Sequence, residues 1–202
     1  MAKKAFVYDG TNWIDIAQST ADLSTYQKSN RTGLQIVVPT SVTGGTLGTN
    51  GQIAFSGSSS VTIDGVFTSA YDNYKIVGSF LTSTGAYIHL RVRSGGVTRT
   101  SGYRSAEGAG GAASNGNEIR FGYSYANSGN FSPFENHIAN PAIAGRKTQM
   151  YGWQNGIGDS SMFLQYFTAF YNTAEANEGF VLFPGAGTMT GEVRVYGYNN
   201  GV

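Results

Sequence analysis

The sequence predicts an all-β protein: an antiparallel β-sandwich, jelly-roll-like in its connections, preceded by a small N-terminal hairpin and helix. The first observation is composition, since 29 of the 202 residues are glycine, 13% are aromatic and only 12% are charged, which is typical of short strands joined by many turns. The second is a period of two in apolar residues from Gln52 onward, which places alternate side chains on opposite faces of a strand. The third is the spacing of roughly eight such segments, about 8 to 20 residues apart, as in sandwiches and jelly rolls.

Residues 1–51 are predicted to form a leader and linker, and residues 52–202 the β-sandwich domain. Ala5 to Ala17 indicates a small hairpin, because its central Asp-Gly flanked by apolar residues is a strong short-range hairpin signal. Residues 19–29 predict a short helix that begins at a Ser-Thr cap. Two strands alone are marginal in water, so we expect this leader to dock on another surface. The candidate docking residues are Tyr8, Trp13, Ile14, Leu23 and Tyr26.

The stretch from Pro39 to Gly51 is rich in glycine and threonine and contains no charged residue. Such a composition favours a flexible or extended connector, and we place the domain boundary at its end. The alternative is an ordinary loop inside one larger domain, which the usual loop lengths also allow.

The segment Ala86 to Arg93 predicts a half-buried antiparallel strand, because apolar and polar residues alternate along it. The apolar face consists of Ala86, Ile88, Leu90 and Val92, and the opposite face of Tyr87, His89, Arg91 and Arg93. Tyr74 to Thr82 is expected to pair with this strand as a hairpin, since a short glycine-containing turn, Ser83 to Gly85, separates the two.

Three later segments complete the predicted sheets. Glu118 to Tyr125 alternates, with Ile119, Phe121, Tyr123 and Tyr125 on one face. Ser161 to Asn172 is apolar on both faces, which indicates a central strand or one buried at a subunit contact; a helix also fits the spacing, but aromatic enrichment favours the strand. Met189 to Asn199 alternates again, and Ser101 to Asn117 is predicted to be a long loop of Gly, Ala and Ser.

Composition and spacing argue against several classes of chemistry. Cysteine is absent, which excludes disulfides and sulfur-ligated metals. A formal net charge of +1 favours neither nucleic acid nor an anionic membrane, and no segment approaches the roughly 20 apolar residues of a membrane-spanning helix. The acidic residues are scattered singly, so no carboxylate pair for glycoside hydrolysis is evident. Glu135 and His137 suit a metal or acid–base site or, more simply, an ordinary hydrogen bond. We predict no catalytic site, no metal site, no cofactor, no nucleic-acid partner and no membrane insertion.

Contact with a partner is better supported than catalysis. Aromatic residues near strand ends either stack on sugar rings or fill the core and a subunit axis. Arg91 and Arg93, beside His89, suit an acidic polysaccharide, a carboxylate on a neighbouring subunit, or a solvated sheet face. The candidate receptor or subunit contacts are Tyr87, His89, Arg91, Arg93, Tyr123, Tyr125 and Trp153.

Several short phrases carry a family resemblance. Phe67 to Tyr74 has the pattern Phe-Thr/Ser-x-x-Tyr-Asp-Asn-Tyr, and Leu90 to Gly96 has Leu-Arg-x-Arg followed by glycines. Gly191 to Gly197 fits a closing Gly-x-apolar-x-apolar-Tyr-Gly strand, and the leader contains Tyr-Asp-Gly-x-x-Trp, Tyr8 to Trp13. Together these phrases resemble the β-sandwich modules of bacteriophage tail-fibre and other virion structural proteins.

The resemblance implies a non-enzymatic virion component that is made in the host cytoplasm. Fibres of this kind are usually homotrimers, so the resemblance also implies a chain that associates with itself and attaches to other virion proteins through its N-terminal segment. The β-sandwich is then exposed for host attachment, with a host surface glycan as a partner. Two alternatives stay open: a capsid decoration or cement protein, and a free carbohydrate-binding, lectin-like module.

Overall fold

The computed structural model describes residues 6–8, 13–15, 33–107, 114–125, 129–157 and 162–199, and these residues contain strands and no helix. They confirm the all-β class and the antiparallel β-sandwich. The strands are β1 (Phe6–Tyr8), β2 (Trp13–Asp15), β3 (Gln35–Val37), β4 (Ser41–Thr43), β5 (Thr46–Leu47), β6 (Ile53–Ser58), β7 (Val61–Asp64), β8 (Asn73–Thr82), β9 (Ala86–Ser94), β10 (Val97–Thr98), β11 (Tyr103–Glu107), β12 (Ser114–Gly116), β13 (Ile119–Ser124), β14 (Ser132–Ala139), β15 (Gln149–Ile157), β16 (Met162–Tyr171), β17 (Gly179–Pro184) and β18 (Met189–Tyr198).

Two antiparallel sheets pack against each other. The large sheet has the order β12-β11-β16-β15-β14-β8-β18-β6-β5, and β3 also pairs with β18. The small sheet has the order β10-β9-β17-β7-β4, and β13 also pairs with β9. Strand β18 therefore lies between β8 on one side and both β6 and β3 on the other.

The core lies between the two sheets and is built from alternate residues of their strands. The predicted apolar face of β9 is confirmed, since Ala86, Ile88, Leu90 and Val92 are all buried. Each fully buried large apolar side chain contributes about 1.5–3 kcal/mol to folding. The largest fully buried side chains are Tyr74, Tyr103, Phe80, Phe121, Phe134, Phe180, Ile53, Ile63, Ile76, Ile88, Leu90 and Ile119.

The phrase Phe67 to Tyr74 forms a corner that joins the two sheets. The Phe67 ring lies edge-on to Tyr74 of the large sheet, with centroids 5.0 Å apart, and stacks on Phe180 of the small sheet at 5.7 Å. The Tyr74 hydroxyl accepts a hydrogen bond from the backbone N–H of Thr68 and donates one to its carbonyl. These bonds satisfy backbone groups that the corner would otherwise leave unpaired, so the aromatic residues of this phrase have a structural role.

The predicted hairpin between Tyr74–Thr82 and Ala86–Arg93 is wrong, because β8 and β9 belong to opposite sheets. β8 pairs with β14 and β18, whereas β9 pairs with β10, β13 and β17. The short turn at Ser83 crosses from one sheet to the other. Both strands thereby turn an apolar face to the shared core, and a period of two does not distinguish this arch from a hairpin.

Two segments predicted as connections contain paired strands. Within Pro39 to Gly51, β4 pairs with β7 and β5 pairs with β6, so of the predicted flexible or extended connector only the extended conformation is found, and it is paired into both sheets. Within Ser101 to Asn117, β11 pairs with β16 and with β12, so the prediction of a long loop is wrong. Strands β4, β5 and β12 are short edge strands of two or three residues, rich in threonine, serine and glycine, and are too short and polar to show an alternation.

The predicted alternation of Glu118 to Tyr125 holds only as far as Phe121. The pairing of β13 with β9 shifts between Arg120 and Gly122, and such a bulge moves the following residues to the other face. Ile119 and Phe121 are buried as expected, but Tyr123 lies opposite Tyr87 on the outer face.

Other predictions are confirmed by the pairing. Strand β16 is a central strand between β15 and β11, and β18 buries Met189, Val193 and Val195 as its alternation predicts. In the N-terminal hairpin, β1 pairs with β2, and Tyr8 lies opposite Trp13. The predicted helix at residues 19–29, with Leu23 and Tyr26, lies outside the described residues, and the docking role of the leader stays a prediction.

Candidate functional site

The outer face of the small sheet carries most of the residues predicted to contact a partner. Arg93 donates hydrogen bonds from Nε to Oδ1 of Asp64 at 2.6 Å, from Nη1 to the hydroxyl of Thr98, and from Nη2 to the carbonyl of Gly96. The guanidinium is therefore held on three sides by the protein itself. Because its charge and its hydrogen-bond donors are already engaged within the protein, Arg93 is a poor contact for a ligand.

Arg91 is also engaged by its neighbours. Its Nη2 donates to Oε2 of Glu118 at 2.8 Å, its Nε donates to the carbonyl of Asn117, and its guanidinium carbon lies 4.6 Å from the centroid of the Phe183 ring. The ion pair and the cation–π contact fix the side chain along the sheet surface.

His89 lies on the predicted face but is buried, with 9% of its surface exposed. Its ring contacts Phe183, with centroids 5.2 Å apart, and its Nδ1 lies 3.4 Å from Oε1 of Glu118 without a hydrogen bond. Burial lowers the pKa of His89, and this effect outweighs the attraction of Glu118 for the charged form. Little of the His89 surface is therefore accessible to a receptor or a subunit, and its contact role stays a prediction.

Tyr87, Tyr123 and Tyr125 form an aromatic cluster at the edge where the two sheets meet. The ring centroids are 5.1 Å apart for Tyr87 and Tyr123 and 5.4 Å apart for Tyr123 and Tyr125, and Phe163 of the large sheet closes the cluster at 5.9 Å from Tyr125. All are half-buried. These edge-to-face contacts stabilise the sheet edge and cover much of the ring surface that a ligand would need.

The outer face of the large sheet differs, because its aromatic rings are open to solvent. Trp153 of β15 lies opposite Tyr166 of β16, and Tyr151 lies opposite Thr168 one step along the same strands. Tyr151, Trp153 and Tyr166 are 52%, 36% and 57% exposed. The prediction that Trp153 is a contact candidate is consistent with its exposure, whereas Tyr166 was missed, since β16 is apolar on both faces and so resembles a buried strand.

A chain of polar contacts fixes the orientation of Tyr151. Its ring stacks on the imidazole of His137 at a centroid distance of 4.7 Å and an interplanar angle of 1°. Nε2 of His137 lies 3.0 Å from Oε1 of Glu135, and Nζ of Lys75 lies 2.7 Å from the same oxygen. The hydrogen bond from Lys75 is the main cause that lowers the pKa of Glu135, which keeps this carboxyl ionised. The hydrogen-bonded interpretation of Glu135 and His137 is therefore confirmed.

A shallow depression of about 310 Å³ lies next to Tyr151 on this outer face, lined by Lys147, Gln149, Met150, Tyr151, Thr168, Ala169 and Phe170. Gln149 lies opposite Phe170 across the β15–β16 pair, so two aromatic and two polar side chains alternate around it. Nζ of Lys147 lies 5.4 Å from the centroid of the Phe170 ring. Arg104 of β11 lies opposite Phe170 on the other side.

Two other features, a metal centre and a membrane-spanning helix, are not found among the described residues. No group of three or more His, Cys, Asp or Glu side chains with metal-binding geometry occurs among the described residues. Within the same part of the chain, no helix is long and apolar enough to cross a membrane. Comparison with known proteins gives no matching family model, no matching curated protein and no matching solved structure.

Proposed function

We propose that this chain is a non-enzymatic bacteriophage virion protein, a trimeric tail fibre or related head or tail fibre, whose β-sandwich is exposed for host attachment. The observation that carries a binding role is the solvent-exposed aromatic face formed by Tyr151, Trp153 and Tyr166. Large rings left exposed together on one sheet face mark an interaction surface. The virion identity rests on the family resemblance of the sequence phrases.

Two further apolar patches support self-association. Leu34, Ile36 and Val38 beside β3 are 47%, 50% and 53% exposed, and Met162 and Leu164 of β16 are 75% and 55% exposed. A cyclic trimer joins two different patches of neighbouring subunits in each contact. The β3 patch and the β16 patch lie on different parts of the large sheet and suit such a head-to-tail contact.

The leader is the proposed attachment to the particle, through Tyr8, Trp13, Ile14, Leu23 and Tyr26. Because β3 pairs with β18, a deletion that tests this role must end before Gln35. Removal of residues 1–32 leaves every strand from β3 to β18 intact. The shortened chain should keep its fold and oligomeric mass by light scattering but be absent from purified particles; its continued presence there would overturn the docking role.

A free lectin-like module is the second candidate, and the same aromatic face favours it, because exposed rings on a sheet suit the apolar side of a sugar. The two candidates differ in assembly and location. A fibre protein has the mass of a trimer and is labelled by antibody on intact particles, whereas a lectin-like module is monomeric and absent from them. A cement protein would be labelled over the capsid surface.

A further inference from the structure

We propose that the depression on the β15–β16 pair, with Arg104 of the neighbouring strand β11 beside it, binds an acidic saccharide, a sugar that carries a carboxylate. Tyr151 and Phe170 would contact the sugar ring, and Lys147 and Arg104 its carboxylate. The inference deepens the proposed function and rests on it for the biological source of the ligand, the host surface.

The register of the sheet shapes the site. Gln149 pairs with Phe170 and Tyr151 pairs with Thr168, so the two rings occupy diagonal corners of a square, with an amide and a hydroxyl at the other corners. Diagonal side chains in such a square lie about 7–8 Å apart at the backbone, and the depression measures about 310 Å³. A volume near 300 Å³ lies at the small end of ligand sites and suits one or two sugar rings.

Contacts within the protein orient the Tyr151 ring of the site. The Tyr151 ring stacks on His137, which is hydrogen-bonded to Glu135, and Glu135 is paired with Lys75. A ring held in this way loses little conformational freedom on binding, so less of the interaction energy is spent on ordering. Hydroxyl groups of the sugar find hydrogen-bonding partners in Gln149 and Thr168.

The charges of the site favour an anion. Among the described residues, Lys147 and Arg104 have no carboxylate partner; Lys147 donates only to Oδ1 of Asn172, at 2.7 Å. In contrast, each of four other cations is paired with a carboxylate. These are Lys75, Arg91, Arg93 and Arg99, whereas Arg120, Arg146 and Arg194 likewise contact only uncharged groups among the described residues. Two uncompensated cations on either side of an aromatic ring attract a carboxylate and offer it charge-assisted hydrogen bonds.

The same charges argue against a second copy of the chain as the occupant. Lysine is depleted at the centres of protein–protein contacts, and the depression contains no residue of the β3 and β16 patches proposed for the head-to-tail trimer contact. An acidic sugar instead neutralises the cations and stacks on the rings.

The test is calorimetric titration of the full chain with trigalacturonate, and with galactotriose as the neutral counterpart. We expect trigalacturonate alone to bind, and to bind more weakly as salt is raised. Lys147→Ala and Arg104→Ala should each weaken binding by about tenfold or more, as expected for loss of a charge-assisted hydrogen bond. Arg146→Ala is the matched control: Arg146 is an exposed neighbour that bonds Asn140 and should leave binding unchanged.

Three results would overturn the inference: no binding of trigalacturonate, equal binding of both sugars, or unchanged binding in both cation variants with thermal unfolding as in the parent chain. A changed light-scattering mass in Lys147→Ala would also overturn it and would make this face a subunit contact. A failure of the virion proposal can be distinguished from a failure of this inference. Absence of the chain from particles would leave the calorimetric result standing, whereas a chain present in particles that binds no acidic sugar refutes this inference alone.

Discussion

The two outer faces of the sandwich contain similar residue types but use them differently. On the small sheet, Arg91 and Arg93 are bound to Glu118 and Asp64, and the tyrosines pack on one another. On the large sheet, the rings of Tyr151 and Tyr166 are more than half exposed. Compensated charges and mutually packed rings stabilise a surface, whereas exposed rings beside uncompensated cations leave it free to bind. The pairing of each group therefore indicates its role better than its residue type.

The largest effect on the free energy of unfolding is expected where β14 and β15 approach each other closely beneath the exposed rings. Gly152 lies between Tyr151 and Trp153, and a Cβ there would lie 2.4 Å from the carbonyl oxygen of Glu135 and 2.4 Å from Oδ1 of Asn136. Gly152→Ala should push β14 and β15 apart and lower the free energy of unfolding by about 3 kcal/mol, measured by urea denaturation. Gly48→Ala, whose Cβ would meet its nearest atoms at 3.4 Å, is the control; similar losses in both variants would show that the close approach at Gly152 is unimportant.

The next prediction compares the loss of a cation that is paired with a carboxylate, on the small sheet, with the loss of one that is not, on the large sheet. Arg93→Ala removes the ion pair with Asp64 and the hydrogen bonds to Thr98 and Gly96. It should lower the free energy of unfolding by about 2 kcal/mol. Lys147→Ala should stay within about 0.5 kcal/mol of the parent chain, as is usual for surface changes. Equal losses of unfolding free energy for the two variants in urea denaturation would contradict the proposal that only the cations of the small sheet stabilise the fold.

The free energy of unfolding should depend on pH through His89 of the small sheet. The pKa of His89 is lowered in the folded chain by burial, from its ordinary value of 6.5. The unfolded chain then binds more protons, so stability is full above pH 6.5 and falls as the pH drops below it towards the folded pKa. His89→Gln should lack this component of the decline. Urea midpoints at pH 7.5 and pH 5.5 would test it, and an unchanged decline in the variant would show that His89 is not its source.

The smallest effect concerns the pair of exposed rings at the centre of the large face. Trp153 and Tyr166 are directly opposite each other, and cross-strand aromatic pairs contribute about 0.5 kcal/mol beyond alanine. A double-mutant cycle of Trp153→Ala and Tyr166→Ala should give a coupling energy of that size. A coupling above about 2 kcal/mol would mean that these rings belong to the folded core and do not form an exposed face.

The alternation of apolar and polar residues was sufficient to predict the fold class and the buried faces of β9 and β18, because each strand has one buried side. It was not sufficient for pairing: the arch from β8 to β9 and the bulge in β13 depend on which strands are available as neighbours. Edge strands such as β4 and β5 escaped detection because polar side chains suit a strand that is half in solvent.

The candidate site could be predicted only in part. Trp153 was named from residue type, and the bond between Glu135 and His137 from their spacing on one strand. Lys147, Phe170 and Arg104 come from a turn and two separate strands that pairing brings together. A single sequence contains no sign of that register, so these residues could be recognised only in the folded chain.

The position of β18 has a consequence for synthesis of the protein. Among the described residues it is the last strand in sequence order, yet it lies between β8 and the earlier strands β6 and β3. Until the ribosome has translated Met189 to Tyr198, the edge of β8 that pairs with β18 has no partner, and β6 is paired only with β5. Such long-range pairing slows folding and leaves strand edges exposed, so nascent chains that stall before Tyr198 should be unusually prone to aggregate.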